Sequence, residues 1–361
     1  MAHIAMAVSN GCAPDPRVLR HARWLVQEKH EVTVYAFDRH QNLELSEVID
    51  GVDIVRIRVG KTPYGGLFTT WRGVKKFREK VGKLLKDIDL LYCHDADMLP
   101  LLKSVKDIPV IFDMHDLHHT WILMKKPKSV IRRIFALCMK KRMFSLAKKV
   151  DLIITSSPGF TTWLSHHNLD SHSIENRPKN NDKLDFPSSP VIGYFGRVRE
   201  KAPFLLLRDA LLNFSEDECK PSVLIAGDGI HANEVAEIFN SATEIVSEIR
   251  GPFLESELPI MMSEISLMFA MYSPERGNIT EGALPSKMFE AASYGRPSIV
   301  NKGILMGEIC ENEGLGSSVF WGDVDNLKIE IMRLIGTSVE LSVDASREHS
   351  RFIEEINKLK I

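Results

Sequence analysis

The sequence predicts an α/β protein built as two successive parallel-sheet domains, and three observations carry that prediction. Short apolar runs alternate with amphipathic helical stretches from the start of the chain. A segment rich in Pro, Asn, Asp and Ser (176–190) interrupts them, and the alternation then begins again. The length agrees, since 361 residues exceed what one hydrophobic core usually serves. The expected division is a first domain over 1–176, a linker over 177–190, a second domain over 191–345, and a last helix over 346–361 placed to cross back to the first domain. A cleft between the two domains is expected.

In order, His3 to Val8 is an apolar strand, followed by a Gly11-bearing loop and then a helix from Pro16 to Gln27. Asp15-Pro16 supplies a cap and a first helical residue. Glu31 to Phe37 is a second strand, so the start of the chain is a βαβ unit with parallel strands. Val52 to Val59, Asp89 to Cys93, Pro109 to Phe112 and Val150 to Ser156 are further strands, and a short helix runs near Phe160 to His166. Past the linker come strands at 191–195, 222–226, 248–250 and 266–270. Helices at 205–214, 231–241 and 257–262 alternate with them. Helices at 325–335 and 345–359 close the chain.

The stretch Asn278 to Val300 (NITEGALPSKMFEAASYGRPSIV) joins a charged loop to a helix and a strand. Pro285 suits the first helical turn, and Gly295 with Pro297 ends the helix. Free helix amides, Lys287 and flanking carboxylates suit the phosphates and ribose of a nucleotide. Two strands deliver His and Asp at their carboxyl ends, His94-Asp95-Ala96-Asp97 and Asp113-Met114-His115-Asp116. That is where ligands sit in open parallel sheets.

Hydrophobic content of 44% and charged content of 26% describe a globular protein, and no apolar run reaches the length of a membrane span. The first ten residues lack the charged and apolar regions of a secretory signal. Cysteines 12, 93, 138, 219 and 310 form no CxxC pair, which fits a reducing cytoplasm and no zinc site. The charge is uneven. Residues 1–170 hold 27 Lys and Arg against 18 Asp and Glu, a net of +9; the rest hold 19 against 30, a net of −11. Two basic stretches, 71–86 and 121–149, carry much of the excess, and the second interleaves cations with Trp, Ile, Leu, Phe and Met. That composition suits an anionic membrane surface. No reader motif accompanies it, so nucleic acid is not an expected partner.

Taken in order, these segments resemble the GT-B glycosyltransferases, and specifically the retaining family 4 of nucleotide-sugar-dependent enzymes. The resemblance runs over about 3–355. It passes through Asp15-Pro-Arg17-Val-x-Arg20, VDLIITSSPGF, Glu175-Asn176-Arg-Pro178, Gly193-Tyr-Phe-Gly196-Arg197 and LIAGDG, to Leu284-Pro-Ser-Lys287-x-Phe-Glu290-Ala-Ala-Ser-Tyr-Gly295-Arg-Pro297. It implies two Rossmann-like domains facing a cleft, with the donor held mainly by the second. Glu290 matches the second Glu of the family's Glu-x7-Glu motif, which holds the ribose. Arg197 and Lys201 match the basic pair on the diphosphate. Gly11, Gly196, Gly227, Ser286 and Lys287 fall near the donor, and Gly251 to Phe253 falls at the base. His115 matches the family's His at the transferred sugar, and Glu281 is the candidate for the first Glu. His94, Asp95, Arg17 and His118 are acceptor-side candidates.

The implied activity is metal-independent, retaining transfer from a UDP- or GDP-linked sugar to a hydroxyl of a glycan or lipid-linked acceptor. It belongs to polysaccharide or glycolipid biosynthesis, in the cytoplasm and peripherally at the inner membrane face, with no bound cofactor. The alternatives are a non-catalytic partner subunit and a sugar-nucleotide epimerase. Three positions depart from the family pattern: Gly282 stands eight residues before Glu290, Lys29 replaces a Gly, and Ala202 replaces the Gly after the basic pair.

Overall fold

The computed structural model describes residues 1–63, 66–124 and 128–361, so Lys125 and Lys126 of the second basic stretch lie outside it. The first elements are β1 (His3–Val8), α1 (Pro16–Gln27), β2 (Glu31–Phe37), β3 (Ser46–Ile49), β4 (Val52–Ile57), α2 (Leu67–Val81), β5 (Leu90–His94) and β6 (Val110–Met114). Then come α3 (His118–Met124), α4 (Val130–Ala147), β7 (Leu152–Thr155), α5 (Pro158–Ser165) and β8 (His172–Ser173). After an irregular stretch follow β9 (Val191–Phe195), α6 (Ala202–Leu212), β10 (Ser222–Ala226), α7 (Ala232–Asn240), β11 (Ser247–Arg250), α8 (Leu258–Ser263) and β12 (Leu267–Ala270). The last are α9 (Gly277–Thr280), α10 (Ser286–Ser293), β13 (Ser298–Asn301), α11 (Leu305–Asn312), β14 (Gly316–Val319), α12 (Val324–Leu334) and α13 (Ala345–Asn357).

Two compact units result: residues 1–176 with 348–361, and residues 177–347. The first holds a sheet in the order β3-β4-β2-β1-β5-β6-β7-β8. Its described pairings are parallel except β3 with β4. Side chains of β1 and β2 alternate between its faces. Ile4, Met6, Val32 and Val34 lie with Leu19 and Leu25 of α1 and with Phe352 and Ile356 of α13. Ala5, Ala7, Tyr35 and Phe37 lie with Val74 and Phe77 of α2. The aromatic pair Phe37 and Phe77 stacks at 4.9 Å. Asp15 caps α1 by accepting from the Val18 amide at 3.2 Å. Lys29, which stands where the resemblance leads one to expect Gly, sits in the left-handed region at φ +66°, where glycine is most at ease.

The second unit carries the sheet β11-β10-β9-β12-β13-β14, parallel in every described pairing. Ile192, Tyr194, Leu267 and Phe269 pack with α6, α7 and α12. On the other face, Phe195 and Met268 pack with Met261 and Met262 of α8 and Ala291 of α10. The segment expected as a linker is bound along this unit. The Asn181 amide donates to Ser293 O at 3.1 Å, Arg296 donates to the carbonyls of Leu184 and Asp185, and Arg177 forks onto Glu313 at 2.6 and 2.7 Å.

Three expectations about elements need correction. Pro285 is the cap of α10 and not part of its first turn, because its ψ of 119° is extended. The strand from Val52 stops at Ile57 and pairs with β3, which was not foreseen. The α11–β14 pair was also missed, since Gly316–Val319 (GSSV) is small and polar yet buried.

Candidate active site

In the first unit, chemistry gathers at the carboxyl ends of β5 and β6. Their register sets His94 beside Asp113. Asp95 follows in the left-handed region (φ +62°), a conformation Asp tolerates, and this turn brings its carboxylate back to accept from the His115 amide at 3.0 Å. His115 then lies between two carboxylates, with Nε2 3.1 Å from Asp113 Oδ2 and Nδ1 3.7 Å from Asp95 Oδ2. His118, at the start of α3, places Nε2 3.1 Å from Asp95 and Nδ1 3.8 Å from Asp97.

Burial works against a charge on His115, but Asp95 and Asp113 outweigh it and lift the imidazole to about 9. His118 is raised well above the ordinary histidine value, again against burial, chiefly by Asp95. Burial would raise Asp113, yet Arg17 and His115 hold it well below the usual carboxylate range.

Arg17 and His94 are placed differently from the sequence expectation. Arg17 is 5% exposed. Its Nε lies 3.1 and 3.0 Å from the two oxygens of Asp113, Nη2 lies 2.6 Å from Oδ1, and Nη1 donates to Ile174 O and Asn176 Oδ1. His94 is fully buried, its ring 4.6 Å from that of Tyr92, and burial keeps it neutral by lowering its pKa. Both therefore order the site from beneath and cannot touch an acceptor. His115, Asp95 and His118 keep an exposed edge. Gly11 lies in the β1–α1 loop, where its carbonyl accepts from Arg56 at 2.7 Å and an added Cβ would meet Leu43 at 2.5 Å. Ligand atoms of His94, Asp113 and His115 come within 4.8 Å of one another. A cation there would face the Arg17 guanidinium on the same carboxylate.

In the second unit, three strand ends interlock. The Gly196 amide donates to Ala226 O, Val198 to Asp228 O, and Gly227 to Gly251 O at 3.0 Å. Gly227 has φ +141°, and a Cβ on it would stand 2.0 Å from Gly196 O. Only glycine permits this approach. Gly196 (φ +128°) leaves room beside Lys287, whose Nζ would be 3.8 Å from an added Cβ. Lys287 is buried, with Nζ 3.3 Å from the centre of the Tyr194 ring. Burial pulls its pKa down to about 7, with Glu290 opposing.

Glu290 is half-buried one helical turn further along α10. Arg197 and Lys201 are mostly exposed and held by acids, Arg197 Nε 3.4 Å from Asp228 and Lys201 Nζ 3.0 Å from Glu234. Gly251 and Phe253 line a cavity of about 180 Å³ together with Arg250, Pro252, Ile260 and Met261. Ser286 opens α10 and is exposed, and Glu281 is exposed where it ends α9.

Sequence reasoning named Asp113 at its strand end but passed over its role as the hub of the first cluster. It also passed over Glu200 and Arg276, which pair at 3.6 Å close to Lys287. The signal for Asp113 was present, as a carboxylate inside an otherwise apolar strand needs a buried cation.

Residues 17–176 match the family model described as Glycosyltransferase Family 4. That match spans 160 of the 361 residues and lies within the first unit. The chain is 24% identical over 353 residues to the succinoglycan biosynthesis protein ExoL of Rhizobium meliloti (strain 1021), covering 87% of this chain and 80% of the relative. Among solved structures it is similar in fold to a sucrose-phosphate synthase of Thermosynechococcus elongatus (TM-score 0.73, 14% identity, 100% and 98% of the two chains). It is similar also to HepE of Anabaena solved with UDP and glucose (TM-score 0.68, 16% identity, 99% and 100%). No helix among the described residues is long and apolar enough to cross a membrane.

Proposed function

We propose that this chain is a retaining glycosyltransferase that moves a sugar from a nucleoside diphosphate to a hydroxyl of a glycan or lipid-linked acceptor. The second unit takes the donor and the first unit the acceptor, at the cytoplasmic membrane surface. The observation that carries this reading is the cluster at the carboxyl edge of the second sheet. Three basic side chains (Arg197, Lys201 and Lys287) lie there beside the closely packed strand-end glycines Gly196 and Gly227, and a carboxylate, Glu290, stands one turn from Lys287. A diphosphate needs the cations; a ribose diol needs the carboxylate. The cavity beside Gly251 and Phe253 has the position and apolar wall to take a base.

Catalysis is then positioning plus charge stabilisation. Arg197 and Lys201 receive the charge of the leaving diphosphate, which stays on the acceptor's face of the sugar and helps remove the hydroxyl proton. His115, charged between two carboxylates, is a fixed donor for a sugar hydroxyl. No step of this reading needs a bound metal. A UDP-linked donor is favoured by the UDP in HepE, and a polysaccharide product by the role of ExoL.

The test begins with thermal shift against UDP, GDP, ADP and CMP without divalent metal, where a ligand of the folded state raises the melting temperature. Nucleotide release is then followed with the matching sugar conjugate, and the anomeric configuration of the product is assigned by NMR. Glu290→Ala and Arg197→Ala are expected to lower turnover by about 100-fold or more each. Undiminished turnover in both would remove the site assignment, and an inverted product would remove the retaining mechanism. Absence of binding to every nucleotide would favour a non-catalytic subunit, for which the exposed, displaced Glu281 is the motivating observation.

A further inference from the structure

Helix α4 carries two apolar faces where a helix on a solvated protein surface carries one. Ala136, Met143, Leu146 and Ala147 are buried and anchor it to the first unit. Val130, Ile131, Ile134 and Leu137 point the other way and are 57–69% exposed. At about 100° per residue the two sets centre on opposite sides of the helix. Four large aliphatics left open within eight residues form a ridge that water does not favour.

The charge around the ridge selects its occupant. Between Asp116 and Asp151 the sequence has ten Lys and Arg and no Asp or Glu. Lys141 continues the outward face beyond the aliphatics, and Arg142 beside it and Lys148 and Lys149 just past the helix end are exposed as well. A second copy of the chain would set these cations against one another. A nucleic acid would match the charge and leave the aliphatics wet. A layer that is anionic outside and apolar just beneath satisfies both.

We propose that the outer face of α4 is a membrane-docking surface, its aliphatic ridge entering the headgroup boundary of an anionic bilayer and its cationic end lying on the phosphates. This rests on the membrane-surface part of the reading above and specifies the element and depth of contact.

Cys138 lies on the same face and is exposed, and among the cysteines only Cys219 is exposed besides it. The full chain carrying Cys219→Ser is labelled at Cys138 with a polarity-sensitive thiol dye; the control carries Cys138→Ser and is labelled at Cys219. Vesicles rich in phosphatidylglycerol should blue-shift the Cys138 dye and leave the Cys219 dye unchanged, and pure phosphatidylcholine vesicles should shift neither. In flotation with the anionic vesicles, Ile134→Glu with Leu137→Glu should lower partitioning about tenfold or more. That variant should retain the nucleotide thermal shift, which separates loss of docking from misfolding and from failure of the transferase reading. An unshifted Cys138 dye, a shift of equal size with neutral vesicles, or wild-type flotation of the double variant would overturn the proposal. So would a concentration-dependent dimer abolished by the same substitutions, which would assign the ridge to a second copy.

Discussion

At the scale of single residues, burial and charge decide what each side chain can do. Lys287 is the clearest case. Its amine, held over Tyr194, is brought down to about 7 by burial, so at pH 8 most of it is neutral. A diphosphate bound beside it would restore the charge, so nucleotide binding should take up a proton. Calorimetry at pH 8 in buffers of different ionisation enthalpy should show this uptake, and Lys287→Met should abolish it; equal uptake in the variant would mean that another group is protonated. The sign for stability follows from the same shift. The folded state binds fewer protons than the unfolded one between about pH 7 and the ordinary lysine value of 10.5, so this group's contribution rises with pH across that window. Arg17 has the opposite dependence on its partner. Removing it with Arg17→Met leaves Asp113 buried without its forked guanidinium, an expected loss of about 3–5 kcal/mol in urea unfolding. A loss below about 1 kcal/mol would show that His115 alone holds the carboxylate.

At the scale of elements, the strand ends of the second unit depend on how closely backbones approach. Gly227→Ala should destabilise by more than about 2 kcal/mol, because φ +141° and a contact of 2.0 Å with Gly196 O both oppose a Cβ. Gly251→Ala, with nothing within 4 Å, should change stability by less than about 0.5 kcal/mol. Thermal or chemical denaturation of the pair checks the contrast, and equal effects would mean that the strand ends can separate. The sequence announced β1, β2, β9 and β10 to the residue because apolar runs bounded by Gly, Asp or Pro permit little else. It was silent on β14, whose Gly, Ser and Ser have no strand signature and are enclosed by α11 and α12. It marked α10 but misplaced its first residue, since Pro285 serves a cap and a first turn equally well by composition. For the first cluster, the pattern exposed His94 and His115 at strand ends, while the burial of Arg17 arises from pairing with Asp113 ninety-six positions away and cannot be read locally.

At the scale of the whole molecule, the first unit is assembled from both ends of the chain. Phe352 and Ile356 of α13 lie in the core formed by β1, β2 and α1, with Phe352 4.6 Å from His21 and 5.4 Å from Trp24, ring centre to ring centre. Truncation after Arg347 should therefore speed hydrogen exchange throughout 1–176, while Phe352→Ala alone should cost about 3–5 kcal/mol. Uniform acceleration that includes 177–347 would instead show the two units unfolding as one. This packing also has a consequence during synthesis. The strands of the first unit leave the ribosome early, but one wall of their core is encoded only after the 171 residues of 177–347. At ordinary elongation rates that interval is on the order of ten seconds or more. Throughout it the nascent first unit shows Ile4, Leu19 and Trp24 to water, while the second unit can already close. The half begun first is finished last, and its open apolar wall is a natural place for a chaperone to hold.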